Sequence, residues 1–511
     1  MASMAAPRAG GWRTTYGLPF VIGASSAGTI IEWYDFYLYA TLTPFLAPLF
    51  FPSDNPTAQL LSAFAAYAAG FLVRPFGAVV FGRIGDVVGR KYAFLLTISI
   101  MGGATVVVGL LPTHAQIGFI APILLVLLRL AQGLALGGEY GGAAIYVAEH
   151  APDNKRGFYT SWIQTTATIG FFLALAIILL FRTNMSAADF ATNGWRYPFL
   201  ISAILLAVAI YIRMRLQETP LFARLKAKGE TTKNTATWAK DSFGGKKVGT
   251  IALVLLGLTA GQGVVWYQGQ FQANFFMITY LHVAFTDSYK IMLWAVALAT
   301  PFFLVFGWLS DKIGRKPIIL AGCLIAAVTY WPIYHMMADA AHVTTDATGL
   351  ITGAKPDMVA LVALVWIQVI YVTMVYGPIA AFLVEYFRAK VRYTSLSIPY
   401  HFGNGWFGGL LPLFFTALVG ASYPTGSKSF VPFLSNFMGL PIKTSWDLRG
   451  FNPANDPNGN IYLGLSYVIV IALMSVVIGT LFLHEPKGVK IWSEVGGEEE
   501  PGMVTEATPA D

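Results

Sequence analysis

Two carboxylates, Glu32 and Asp35, stand three residues apart in EWYDF, inside an apolar run from Leu18 to Pro48. On a helix that spacing puts both on one face. A charge in the middle of a bilayer costs about 3 kcal/mol or more, so an acid there faces a cavity or a partner and marks a pathway. The chemistry open to such a pair is to gain and lose a proton near neutral pH, with an opposing guanidinium setting how readily. Two arginines lie in apolar surroundings as well. Arg129 follows ILLVLL, and Arg74 directly precedes Pro75. A planar guanidinium suits two-pronged capture of a carboxylate; the alternative for Arg74 is to snorkel to the headgroups. A third chemical stretch, GQGVVWYQGQFQANFF (261–276), sets amides among aromatics. Amides in a membrane need partners, and a polar substrate is one. Trp266, Tyr267, Trp33 and Tyr34 either pack or stack on a substrate, including a quaternary ammonium. Gln164, Gln268 and Gln270 are polar candidates of the same kind. Glu139, in GGEYGG, is either a cavity residue or a bond between helices.

The elements that must carry these residues are membrane spans. The chain has 511 residues, 56% of them hydrophobic and 12% charged, with a mean hydropathy of +0.61, against roughly 25% charged residues in a soluble globular chain. A span needs about 20 apolar residues. Twelve such stretches are expected, near residues 17–43, 58–82, 92–112, 118–148, 158–181, 196–214, 249–281, 289–309, 317–338, 357–385, 393–420 and 460–483. The first is too long and too interrupted by acids for a cleavable signal peptide. Gly133, Gly137 and Gly141 repeat every four residues, which lets a second helix approach closely. The lone cysteine, Cys323, excludes an intrachain disulfide and reads as a small core residue.

Net charge is +7, and its placement reports topology. With a cytoplasmic amino terminus, 24 of the 33 Lys and Arg fall on inner segments and seven on outer ones, with Arg74 and Arg129 inside spans. That is the inward excess expected of a membrane protein with both termini in the cytoplasm, and no nucleic-acid partner is needed to explain it. The chain also repeats itself. FGRIGDVVGRK (81–91) returns as FGWLSDKIGRK (306–316), EWYDF as VWYQG (265–269), and Glu149 with Arg156 as Glu385 with Arg392. Two six-helix halves of this kind place a transporter's site at their interface. The expected layout is a cytoplasmic tail (1–16), a first bundle (17–214), a basic linker (215–248), a second bundle (249–483) with an external insertion at 421–460, and a tail (484–511). A shorter insertion, 339–356, reads as a loop.

The stretch G-x-x-x-D-x-x-G-R-K after helix 2 resembles the signature loop of the major facilitator superfamily. EWYDF, FLVRPFGAVVFGRIGD (71–86), RLAQGLALGGEYGGAAIYVAEHAP (129–152) and GFYTSW (157–162) resemble its metabolite:proton symporter branch, whose members carry dicarboxylates, citrate, shikimate, or proline and betaines. The resemblance covers nearly all twelve helices and implies an all-α membrane fold of two pseudo-symmetric six-helix bundles, monomeric, in the inner membrane. By position it implies that Asp35 accepts the proton and that Arg129 sets its affinity; the repeat has Gln268 and Val365 there instead. It leaves Glu32 to share the proton, bond a neighbour or line the cavity. It implies that Gly82 and Asp86 with Arg90, Glu149 with Arg156, Asp311 with Arg315, and Glu385 with Arg392 form a charge latch that breaks for inward opening.

The reading is a proton-coupled importer of a small organic acid such as a di- or tricarboxylate. A zwitterion importer or a membrane metabolite sensor is the alternative. The partners expected are substrate, proton and lipid, with no cofactor or metal. The chain has no G-x-x-x-x-G-K-[ST] for ATP and no H-E-x-x-H or nucleophile elbow for an enzyme.

Overall fold

The computed structural model describes residues 17–53, 56–215, 218–231, 234–345, 351–421 and 461–493. Twelve long helices run through them: α1 Leu18–Phe50, α2 Pro56–Val87, α3 Arg90–Leu110, α4 Ile120–His150, α5 Arg156–Asn184, α6 Arg196–Arg215, α7 Lys247–Thr279, α8 Phe285–Ile313, α9 Arg315–Ala341, α10 Met358–Tyr386, α11 Ala389–Val419 and α12 Leu465–Phe482. Eleven are long and apolar enough to cross a membrane. The exception is α1, whose 33 residues include the run Glu32, Trp33, Tyr34, Asp35; the residues that make it chemically interesting lower its hydropathy. Large apolar side chains such as Phe76, Leu110, Val328 and Leu481 point outward, as a lipid-facing surface requires.

Within the first half, α2 packs on α4, α1 on α5, and α3 on α4 and α6. Glycines make the α2–α4 seam. A Cβ added to Gly133 would lie 1.9 Å from the Gly70 carbonyl, and one on Gly137 2.2 Å from the Arg74 carbonyl. The close approach expected of the four-residue glycine repeat is therefore with α2, and it carries Arg74 and Arg129 on one rigid pair. Across the halves the principal contacts are α2 with α11 and α5 with α8. These are equivalent under the internal repeat, because α8 repeats α2 and α11 repeats α5.

The turn from α2 to α3 is far shorter than the sequence suggests. Helix α2 continues through Asp86 to Val87, and only Val88 and Gly89 separate it from Arg90; Gly314 alone separates α8 from α9. Gly89 and Gly314 hold φ of 146° and 109°, where a side chain would be strained. The linker contains two short helices, Pro220–Ala227 and Thr235–Phe243. The 339–356 loop includes a two-stranded hairpin, Val343–Thr345 against Ile351–Ala354. The insertion 421–460 lies, after Ala421, outside the described residues, as do the 1–16 tail and residues 494–511.

Candidate functional site

Asp35, Arg129, Gln132 and Thr105 form one buried cluster from α1, α4 and α3. Arg129 Nη1 lies 3.3 Å from Asp35 Oδ2 and donates to Gln132 Oε1 at 2.7 Å. Gln132 Nε2 donates to Asp35 Oδ1 at 3.0 Å, and Thr105 Oγ1 donates to the same oxygen at 2.8 Å. The guanidinium also covers the Tyr39 ring, 4.1 Å from its centroid. Asp35 thus sits in a cage of three donors, two of which the sequence reading missed. Gln132, one turn after Arg129, has the spacing that a helical pair requires and was the available signal; Thr105 had none.

Seven arginines are buried among the described residues: Arg74, Arg90, Arg129, Arg156, Arg213, Arg315 and Arg392. Six have a carboxylate within 4 Å. Arg74 makes no ion pair, its Nε has no hydrogen-bond partner among the described residues, and its guanidinium lies over the Phe71 ring at 4.3 Å. Among the described residues Glu32 likewise makes no ion pair within 4 Å, and its Oε2 has no hydrogen-bond partner. Both line one small cavity, of about 20 Å³, with Asp35, Arg129 and Gln132. That volume holds a water and no organic molecule. Phe36, Tyr67 and Phe71 line its other side. Phe71 packs edge-on to Phe36 and Tyr67, and Phe36 edge-on to Trp266, Tyr267 and Phe271, while Tyr67 stacks on Phe271. Trp33 packs at a tilt against Trp266, 4.8 Å between centroids. Beyond this aromatic layer is a larger cavity of about 120 Å³, lined by Tyr37, Gln270, Phe271, Asn274 and Tyr289 and extending to Phe285 at the α7–α8 turn.

At the opposite end of the molecule, ions join the halves twice over. Asp86 accepts from the backbone N–H of Tyr393 at 3.2 Å and of Thr394 at 3.0 Å, and from Thr394 Oγ1 at 2.6 Å. Asp311 accepts from the N–H of Gly157 and Phe158, both at 2.8 Å. Each carboxylate therefore caps the amino terminus of a helix of the other half, where orphan N–H groups and the helix dipole favour an anion. Gly82 makes room for this: a Cβ there would lie 2.9 Å from Thr394. The arginine pairings differ from those expected. Glu149 binds Arg90 of its own half and, at 3.4 Å, Arg392 of the other. Glu385 binds Arg315 at 3.0 Å and Arg156 at 2.8 Å. Glu149 with Arg156 and Glu385 with Arg392 are replaced by crossed pairs, because the repeat brings α5 and α11 to the opposite bundle. Asp311 does pair with Arg315, at 2.8 Å. Two acids outside this set cap helices too: Glu218 faces the N–H of Lys91, and Glu485 accepts from Arg315 and Lys316. Burial raises the Glu218 pKa, against the pull of the Thr219 and Lys91 N–H groups and of Arg90.

Several expected substrate contacts are otherwise engaged. Glu139 binds Arg213 with both oxygens and also accepts from Thr97 at 2.9 Å. It does not line the small cavity. Arg213, one of the 24 cations assigned above to inner segments, is buried over Gly28 of α1, where an added Cβ would meet the guanidinium. Tyr34 donates to the Pro198 carbonyl of α6 at 2.5 Å, Gln164 to the Tyr140 hydroxyl at 2.8 Å, and Tyr37 to Gln270 at 2.8 Å. Both amide atoms of Gln268 lack partners among the described residues. Gln268 to Gln272 form a π-helical turn within α7, a local widening frequent at functional sites.

Comparison with known proteins follows this geometry. Residues 20–250 match the family described as sugar (and other) transporter. The inner membrane metabolite transport protein YhjE of Escherichia coli (strain K12) is 35% identical over 387 residues, spanning 75% of this chain and 83% of that protein. The proline/betaine transporter of that strain is 32% identical, spanning 74% of each chain. Its alpha-ketoglutarate permease is 34% identical, spanning 76% and 84%. These relatives are transporters by name and not enzymes. Among solved structures, the proton:xylose symporter XylE bound to 6-bromo-6-deoxy-D-glucose matches with a TM-score of 0.65 at 16% identity, over 94% of this chain and 98% of that one. At that identity the likeness speaks for the fold, the twelve-helix architecture of the major facilitator superfamily.

Proposed function

The chain belongs to the sugar (and other) transporter family of the major facilitator superfamily, and from that premise we propose that it imports a small organic acid, a di- or tricarboxylate, together with a proton by alternating access. One observation carries the substrate class: among the buried arginines of the described residues, Arg74 has no carboxylate within 4 Å while each of the others does, and Glu32 on the same cavity forms no ion pair with it. A buried cation without a direct ion-pair partner is costly. A carboxylate arriving between the bundles relieves that cost, and a guanidinium holds it in two-pronged fashion.

Asp35 carries the proton. Protonation cancels its attraction to Arg129 and leaves Gln132 and Thr105 with a weaker acceptor, so the cage couples proton occupancy to the packing of α1 on α4. Glu32, unpaired on the same cavity, is the second acid of the relay. The ion lattice is the latch on the cytoplasmic side, and it is closed. The aromatic layer around Phe36 and Trp266 separates the site from the outer cavity, so this is an outward-side state with the binding space shut. Moving one charge across 100 mV is worth about 2.3 kcal/mol, roughly fifty-fold accumulation at 1.4 kcal/mol per tenfold.

A second reading, import of a zwitterion such as proline or a betaine, is favoured by unpaired Glu32 beside the aromatics. A carboxylate on Arg74 and an ammonium between Glu32 and Trp266 would satisfy both charges. Uptake into proteoliposomes under an imposed pH gradient separates the readings. Alpha-ketoglutarate or citrate should accumulate in wild type and much less in Arg74→Lys, because an ammonium cannot reproduce the fork. Accumulation of proline or glycine betaine alone would establish the second reading. Undiminished acid uptake by Arg74→Lys would remove Arg74 from the site, and accumulation of none would leave a non-transporting sensor.

A further inference from the structure

His401 lies on α11, in the second half, and is 1% exposed. Neither ring nitrogen has a hydrogen-bond partner among the described residues. A buried imidazole without a partner is costly unless something else fills the role. Its ring stands edge-on to Tyr400, 5.0 Å between centroids, which occupies a face and not the nitrogens.

What His401 faces follows from the helix it rides on. Four residues on is Gly405, where an added Cβ would lie 3.5 Å from Arg74 Cβ and 3.6 Å from Arg74 Cδ. Four residues back is Ser397, whose hydroxyl would meet a Cβ on Gly141 of α4 at 2.2 Å. This stripe of α11 therefore lies on the α2–α4 seam, and His401 is within electrostatic range of the Arg74 guanidinium. Close approach is possible because Gly405 offers no side chain. Arg74 and His401, one from each half, thus stand on the same seam, and neither Arg74 Nε nor either His401 ring nitrogen has a hydrogen-bond partner among the described residues.

We propose that His401 is the second half's ligand for the substrate carboxylate, sharing it with Arg74 of the first. The proposal rests on the anion reading of Arg74 given above and adds to it a consequence for the transport cycle. An anion held from both sides ties α2 to α11, so occupancy itself draws the bundles together over the site, as alternating access requires of a ligand with differential affinity for two states. Nothing in the repeat foreshadows this role, since Thr165 stands at the equivalent position of the first half.

The test uses full-length purified protein and calorimetric binding of alpha-ketoglutarate, citrate and glycine betaine. For whichever compound the wild type binds, His401→Phe, which keeps volume and loses both nitrogens, should weaken binding about tenfold or more, and His401→Gln should restore part of it. Loss in Arg74→Lys with unchanged affinity in His401→Phe would overturn the role of His401 and leave the proposed function standing. Unchanged affinity in Arg74→Lys would overturn both, as would binding of none of the three compounds. Wild-type protein labelled with ¹⁵N-histidine gives a readout in which ligand binding is observed on the unsubstituted protein. One histidine resonance, identified by its absence from His401→Gln, should move on saturation with ligand. A titration in which it stays fixed would overturn the proposal.

Discussion

Asp86→Asn should release the cytoplasmic latch without touching the binding cavity. Asp86 holds two backbone N–H groups at the start of α11 and the Thr394 hydroxyl. Asparagine keeps one acceptor and loses the charge. An acid at a partly buried helix amino terminus is worth up to about 2 kcal/mol, and the new amide points donors at donors, which only adds to the loss. Taking about 2 kcal/mol, the ratio of latched to unlatched protein falls roughly thirty-fold. Asp311 caps α5 in the same way from the other half. The two caps hold the amino termini of different helices, so Asp86→Asn with Asp311→Asn should add to about 4 kcal/mol, roughly a thousandfold. The assay is thiol labelling. With buried Cys323 replaced by serine, Ser397→Cys reports from a fully buried position on α11, between the latch and His401. Labelling from the cytoplasmic face should speed up in Asp86→Asn and again in the double variant, until the open state is the majority. Labelling equal to the parent, or a double variant no faster than the single, would mean that these carboxylates do not hold this end shut.

Two further perturbations separate coupling from scaffolding. Asp35→Asn keeps shape but cannot carry a proton, so it should abolish uphill uptake under a pH gradient while leaving exchange of substrate across the membrane; full accumulation in that variant would take Asp35 out of the mechanism. Glu139→Gln strands the Arg213 guanidinium, and breaking a buried pair by one partner costs about 3–5 kcal/mol, so the thermal midpoint should fall and largely recover in Glu139→Gln with Arg213→Met. A stable Glu139→Gln that loses ligand affinity would instead return Glu139 to the binding site.

The spans could be read in the sequence because a bilayer imposes one rule on every helix, long apolar runs with their backbone bonds satisfied internally. Repetition carried more. The offset that relates FGRIGDVVGRK to FGWLSDKIGRK, and the one that relates Glu149 to Glu385, pick out residues that join the two halves through ions. They did not say who binds whom. Glu149 and Arg156 lie close in sequence, so local reasoning pairs them, yet α5 leans on α8 and α11 on α2. The crossed pairing is a property of the interface between bundles, which no local spacing encodes. Arg213 misled for a related reason: it ends an apolar run, where the positive-inside rule expects a loop charge, and only Gly28 on α1 gives it a place inside.

Arg74 shows what neither sequence nor a single contact reveals. In the sequence it is one intramembrane cation among others, with Glu32, Asp35 and Glu139 all available to it. Its significance appears by subtraction, once Asp35 is committed to Arg129, Glu139 to Arg213, and Glu149 and Glu385 to the latch. Glu32 remains, on the same cavity, and the two form no ion pair. If stability alone set this arrangement, the two charges left over would have closed on each other, since each is costly apart. On the proposed reading, their separation keeps a cation, and a histidine across the interface, open to an anion, and leaves an acid beside them to take up the proton that travels with it.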